Sequence, residues 1–176
     1  MVFAHDTTAA LQAAVALVNS AEPPDTMTTT DELDEFFAAH DYSGSRTHDA
    51  AELDAVRALR GPLRRLLTGD RDEAVRIVNR ILAERHAVPA LVRHDGWDYH
   101  LHAIDSDAPF SDRIAVETAM AVVDLIRADE LSRLAVCAEQ SCQGLVLDLS
   151  RNRSRRFCST TCGNRVAVAA YRARKR

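Results

Sequence analysis

The chain's four cysteines, Cys137, Cys142, Cys158 and Cys162, fall in two close pairs, Cys137-x4-Cys142 and Cys158-x3-Cys162, with fifteen residues between the pairs. Zinc takes four ligands in a tetrahedron, and two short thiolate loops brought together by the intervening chain supply them. Nothing in the sequence points to export, and in a reducing compartment paired cysteines serve metal ligation or redox chemistry rather than a disulfide framework. The spacing predicts one zinc held by all four thiolates. A thiol redox switch is the alternative it leaves open, because oxidation of zinc thiolates releases the metal.

Arg151, Arg153, Arg155 and Arg156 lie between the two pairs, and Arg165, Arg172, Arg174, Lys175 and Arg176 follow the last cysteine, with no acidic residue after Asp148. From residue 137 onward nine basic residues face two acidic ones, a charge of +7, while residues 1–136 carry 13 basic and 24 acidic residues, a charge of -11. Guanidinium forks bind phosphate oxygens bidentately and stay charged at any working pH, so a metal-fixed platform bearing them suits a nucleic-acid backbone. Arg165, Arg172 and Arg176 share one face of a helix expected after Gly163. Asn164, a residue able to read an adenine edge, stands beside them. DNA is the expected partner, with a solvated basic surface or a protein partner as the competing explanation.

The elements that must position these residues follow from periodicity. Leu11, Val15 and Val18 repeat at helical spacing up to about Asn19, and Thr29-x-x-Glu32 has capping-box spacing ahead of a helix burying Leu33, Phe36 and Phe37. Leu53, Val56, Leu59, Leu63 and Leu66 form a stripe that Gly61-Pro62 should kink or split, and Val75, Val78 and Leu82 continue the pattern in the next helix. Asp95-Gly96 centres a β-hairpin in which Trp97, Tyr99 and Leu101 share one face and Asp98, His100 and His102 the other. A last helix of this part, capped by Ser111, turns Ile114, Ala121, Val122 and Leu125 inward.

Between the cysteine pairs, Leu145, Val146, Leu147 and Leu149 suit a strand that turns through residues 150–154 and pairs with residues 155–157. The fold class is thus mainly α with a small β-hairpin, a helical N-terminal domain over residues 1–130 followed by a treble-clef-like finger over 131–176. Without a Gly- or Pro-rich linker at the junction, the two parts are expected to pack together. His100 and His102, neighbours on one strand face, are candidates to hold a metal or a small-molecule effector. No phosphate loop, nucleophile elbow or metalloprotease motif is present, and the helix acids are spaced as solvated faces, so no enzyme is expected. There is no long apolar run and no signal-peptide pattern in the first residues, so a cytoplasmic protein away from membranes is expected.

At the cysteines the chain resembles a known family. The segment CAEQSCQGLVLDLSRNRSRRFCSTTCGNR, with Cys-Gly-Asn-Arg at its end, is similar to the CGNR zinc finger, and the likeness covers about residues 134–176. Family members carry an N-terminal ABATE domain, described as a stress-induced transcription regulator, and residues 1 to about 130 resemble an Ala-rich, shortened version. The resemblance implies zinc on Cys137, Cys142, Cys158 and Cys162 and DNA contacts from the arginines. Here three residues separate the last two cysteines where relatives have four, and Phe157 stands where Trp is frequent. The reading that results is a bacterial transcription regulator, its N-terminal domain sensing an effector or joining two subunits into a homodimer. A protein-interaction adaptor and a zinc-thiolate redox sensor are its alternatives.

Overall fold

The computed structural model describes residues 3–93, 96 and 98–175. Asp95, Trp97 and Arg176, named above, lie outside the described residues. In chain order the elements are α1 (His5–Asn19), α2 (Thr30–Ala39), α3 (Ala50–Ala58), α4 (Arg60–Thr68), α5 (Arg71–Glu84), β1 (Ala90–Val92), β2 (His100–His102), α6 (Phe110–Arg127), β3 (Leu134–Val136), β4 (Leu145–Leu147) and α7 (Thr160–Arg174), with a 3-10 turn at Leu131–Arg133 before β3. The fold is mainly helical, with two small antiparallel hairpins, β1 with β2 and β3 with β4.

Local chemistry sets most boundaries. The Thr29 side chain accepts from the Glu32 N–H and the Glu32 carboxylate accepts from the Thr29 N–H, a complete capping box at the start of α2. The stripe from Leu53 to Leu66 is split rather than kinked. Pro62 has no N–H to give to the Ala58 carbonyl and its ring would clash with it, so α3 ends at Ala58 and Pro62 falls in the first turn of α4. Two expectations shift. In α5 the buried residues are Ala74, Ile77, Val78 and Ile81, whereas Val75 is exposed and Leu82 only half-buried. Helix α6 begins after Pro109 with no side-chain cap, and the Pro109 carbonyl accepts from the Asp112 and Arg113 N–H groups, so the helix starts ahead of Ser111, which lies inside it.

Helix α6 is the axis of the body. It is apolar on most of its circumference, with Ile114, Ala115, Val116, Ala119, Ala121, Val122 and Leu125 all buried, and it packs against α1, α3 and α5. Leu11, Leu17, Leu33, Leu63 and Leu66 close the same core from the surrounding helices. That core continues into the C-terminal part: Leu145 and Leu147 of β4 belong to it, β4 lies on α1 and β3 lies on α4. The expected packing of the two parts is therefore built from shared core residues.

An ion pair ties the segment after α1 to α4. Both guanidinium ends of Arg60, itself buried, reach Asp25 at 2.9 and 3.0 Å. These bonds, followed by the Met27 N–H, hold the Asp25 carboxyl down at about 2. A carboxylate so depressed stabilises the fold above its unfolded value near 4, and that contribution is lost as pH falls through about 2. The stability difference between the natural chain and Asp25→Asn should be constant above about pH 4 and shrink steadily below it. Denaturant unfolding across pH 2 to 6 measures it, and a difference that does not change with pH counts against this pair.

Candidate metal centre and its surroundings

The strand preceding the first cysteine pair and the strand following it are β3 and β4, registered Leu134 to Leu147, Ala135 to Val146 and Val136 to Leu145. The first knuckle is thus the turn of this hairpin. That corrects the sequence expectation, in which β4 paired with residues 155–157. The physical reason lies at Asp148. Its carboxylate accepts from the Ser150 N–H at 2.8 Å and the Arg155 N–H at 2.7 Å, and the Ser150 hydroxyl accepts from the Ser154 N–H at 3.1 Å. The loop is folded by side-chain acceptors instead of a ladder, with Arg153 at φ 49° inside it. The Ala138 N–H then takes the Arg156 carbonyl at 2.9 Å, which carries the second pair back over the first.

Helix α7 delivers the fourth thiol. Ser159 caps it by accepting from the Cys162 N–H at 3.2 Å, so the helix begins ahead of Cys162 rather than after Gly163, and Cys162 is its one buried residue.

The four Sγ atoms all lie within 4.8 Å of one another. Cys158 Sγ is 3.6 Å from Cys142 Sγ and 3.7 Å from Cys162 Sγ. Four ligands about 2.3 Å from a central zinc stand about 3.8 Å apart, while a disulfide needs about 2.05 Å. All four thiols are free, and their spacing is that of a tetrahedral shell. An all-sulfur donor set is that of a structural zinc.

The backbone supports ionised sulfur. The Gly144 N–H points at Cys142 Sγ at 3.3 Å and the Cys158 N–H at Cys137 Sγ at 3.5 Å. Burial opposes ionisation of Cys137, yet the N–H groups of Cys158 and Glu139 bring its thiol below the ordinary value. Cys158 goes the other way, raised by burial first and then by the neighbouring thiols. Gly144 has a steric role that its place after the knuckle only hints at. A Cβ there would sit 3.0 Å from Cys158 Sγ and 3.3 Å from Cys142 Sγ, where a side chain cannot fit without moving a ligand. Around the sulfurs the finger has little core of its own, Cys137, Cys162 and Val146 with Phe157 against them.

Arg151, Arg153, Arg155 and Arg156, then Asn164, Arg165, Arg172, Arg174 and Lys175, are all exposed and all lie on or beside the finger. They are not equivalent. Arg153 pairs with Glu130 at 2.7 Å and Arg165 with Glu139 at 3.1 Å, so these two already have acidic partners. The Arg155 guanidinium reaches the Cys158 carbonyl at 3.4 Å and Arg156 lies over the Phe157 ring at 5.9 Å, while Lys175 lies over the Tyr171 ring at 4.8 Å.

His100 and His102 share a strand face as expected, with Nε2 atoms 3.0 Å apart. His100 and His102 line a cavity of about 910 Å³ under the hairpin, as does the partly exposed Leu101, while Tyr99 stands outside it and is exposed to solvent. Among the described residues the one group of three or more candidate metal ligands is the four cysteines, and the two histidines stand in the cavity wall. Arg113, Glu117 and Tyr42 also line the cavity. The sequence reading missed them by treating the helix acids as solvated. Glu117 lies four residues after the buried Arg113, among the inward positions of α6, and burial raises its carboxyl to about 7 against the opposing pull of Arg113.

Asn19, at the end of α1, was also missed. Its amide makes two bonds to one finger residue: Nδ2 donates to the Leu145 carbonyl at 2.9 Å and Oδ1 accepts from the Leu145 N–H at 2.5 Å. No local signal marks such a long-range clamp.

Two family models match the chain. One, described as "Putative stress-induced transcription regulator" and called ABATE, covers residues 11–129, and the other, the CGNR zinc finger, covers residues 133–175. No curated protein matches it. No described helix is long and apolar enough to cross a membrane.

Proposed function

This chain belongs to the ABATE family and ends in a CGNR zinc finger, and on that premise we propose that it is a cytoplasmic transcription regulator that binds DNA through the finger. In this reading Cys137, Cys142, Cys158 and Cys162 hold one zinc, whose chemistry is structural cross-linking of the knuckle to α7. The reading includes no catalytic step. The observation that carries it is the exposure of α7: beyond its first turn every described residue from Asn164 to Lys175 faces solvent. A fifteen-residue helix held at one end, rich in Arg and free along its length, has the form of an element that docks elsewhere.

The pairing of the arginines divides the contacts. Arg172 and Arg174 on α7 and Lys175 just after it, with Arg151, Arg155 and Arg156 on the loop, have no acidic partner among the described residues and are assigned to phosphates. Asn164, one turn into the helix, is assigned to a base edge. Arg153 and Arg165 reach DNA only by leaving Glu130 and Glu139. One finger offers few contacts, so two copies on adjacent half-sites would raise affinity.

The cavity under the β1-β2 hairpin, lined in part by His100 and His102, is assigned to the effector. Helix α1 joins cavity and finger, since Asp6, Ala9 and Ala10 line the cavity and Asn19 holds Leu145.

The test is a salt-titrated binding measurement with non-specific duplex. Each Lys or Arg contact contributes roughly 0.9 to the slope of log affinity against log salt. Arg172→Ala with Arg174→Ala should lower that slope by about 2 and weaken binding equally across sequences. Zinc-loaded protein that ignores duplex at low salt would sink the regulator reading in favour of a protein-interaction adaptor.

A further inference from the structure

The effector assignment names a cavity and no ligand, but the groups on its floor are chemically selective. Tyr42 contributes a buried hydroxyl with no hydrogen-bond partner among the described residues. Burial pushes this phenol well above its ordinary range, so it is a neutral O–H that can donate. Arg113 is buried and tied to three backbone carbonyls. Its guanidinium donates to the Ser43 carbonyl, to the Ser45 carbonyl at 2.6 Å and, through Nε, to the Ala108 carbonyl at 3.1 Å. Glu117, one helical turn further on, is the acid set to balance that charge, and near neutral pH it is protonated about half the time. When Glu117 holds its proton, the floor presents two neutral O–H donors beside a fixed cation.

The remaining charged and titratable groups of the cavity come from every wall. Asp6 of α1 accepts from the Thr7 and Leu101 N–H groups, and Arg85 at the end of α5 is paired with Asp112 at 2.9 Å. Burial lowers the half-buried His40 that ends α2, which keeps it neutral. His100 and His102 of β2 lie against each other, and Asp41, His86 and Asp105 are exposed at the mouth. The floor is therefore where an uncompensated interaction remains. Between these polar groups the wall carries apolar side chains, Ala10, Val88, Val92, Leu101, Ala103 and Ile104.

Building on the effector reading, we propose that the ligand is an organic monocarboxylic acid with an apolar body, its carboxylate received by Tyr42, Glu117 and Arg113 and its body by the hairpin wall. The carboxylate accepts from the Tyr42 hydroxyl and from protonated Glu117, and replaces ionised Glu117 as the counter-ion of Arg113. Binding of the anion thus takes up a proton from solvent onto Glu117. An ammonium head would instead meet Arg113, and a neutral hydroxyl head would leave that charge unbalanced whenever Glu117 is protonated.

The test is isothermal titration calorimetry on the intact zinc-loaded chain with three probes that differ only in head group, octanoate, octylammonium and octan-1-ol. Octanoate should bind at least about 10-fold more tightly than either other probe, and its affinity should fall by up to about 10-fold per pH unit as pH rises past 7. Tyr42→Phe removes an oxygen that bonds to nothing described, so the variant should keep its melting temperature and lose octanoate affinity by about 10-fold. Glu117→Gln keeps a donor but cannot titrate, and should flatten the pH profile. A preference for octylammonium or octan-1-ol overturns the acid proposal and leaves the effector reading standing. Binding of none of the three overturns both, and octanoate binding that neither Tyr42→Phe nor pH alters overturns the carboxylate floor.

Discussion

Cys158→Ser is expected to lose its zinc and, with it, essentially all affinity for duplex, while residues 5–127 stay folded. Cys158 Sγ stands 3.6 and 3.7 Å from two other thiols, so its removal takes a corner from the shell instead of a peripheral contact. Replacing groups that merely support a metal ligand lowers affinity by roughly 10- to 100-fold, and loss of a ligand should exceed that. The finger has no reserve. Its own cluster consists of Cys137, Cys162 and Val146 with Phe157, Cys142 and Cys158 packed against it, a core made mostly of the ligands themselves. In such pieces the free energy of binding metal is the free energy of folding. Apart from Cys162, helix α7 is joined to the knuckle by the exposed Arg165–Glu139 pair, so without the metal little holds the basic helix against the loop.

Metal analysis, hydrogen exchange and duplex binding on the same preparation measure the outcome. Exchange protection should collapse over residues 150–174 and persist in α1, α5 and α6, whose buried side chains belong to the separate main core. Residues 145–147 should keep part of their protection, since Leu145 and Leu147 are buried in that core. One zinc per chain retained in the variant, with duplex binding intact, would refute the assignment of Cys158 as a ligand.

What could be read in advance divides along the range of the interactions. The cysteine pairs, the Thr29 capping box, the break at Pro62 and the inward face of α6 all depend on residues within about one or two helical turns, and each stands where periodicity and spacing put it. The missed or shifted features depend on distant chain. Strand β4 chose residues 134–136 over residues 155–157 because Asp148 had already satisfied the backbone that a second strand would have needed. The α5 stripe turned by one position because both α4 and α6 press on the helix, which brings Ile77 and Ile81 in and leaves Val75 out. Arg113 and Glu117 look like an ordinary surface pair at i, i+4 until α6 proves to be enclosed on most sides. The hairpin histidines line the cavity under the hairpin, a placement that strand alternation alone does not reveal.

Asn19→Ala is expected to destabilise the junction by about 2 to 6 kcal/mol and to uncouple the cavity from the finger. Leu145 is buried, at 2 % exposure, and both its N–H and its carbonyl are satisfied by the one Asn19 amide. Removing the amide leaves two buried backbone groups unpaired, each worth roughly 1 to 3 kcal/mol. The coupling follows from where α1 runs. Its first turns carry Asp6, Ala9 and Ala10 to the cavity wall, Thr7 bonds the Asp124 carboxylate of α6 at 2.5 Å, and its last residue grips the strand that leads from the zinc knuckle to the arginine loop. A ligand that shifts α1 by a fraction of an ångström thus moves β4, and β4 sets the placement of the finger. Asn19→Asp separates the two contributions: it keeps the acceptor for the Leu145 N–H but sets a second oxygen against the Leu145 carbonyl. Denaturant unfolding should rank the natural chain above both variants. In duplex titrations with and without octanoate, the ratio of affinities should approach one in Asn19→Ala, whereas mutation of a mere packing residue would lower stability and leave that ratio unchanged. An undiminished ratio in Asn19→Ala would assign the communication to another contact, and β3 against α4 is the next to break.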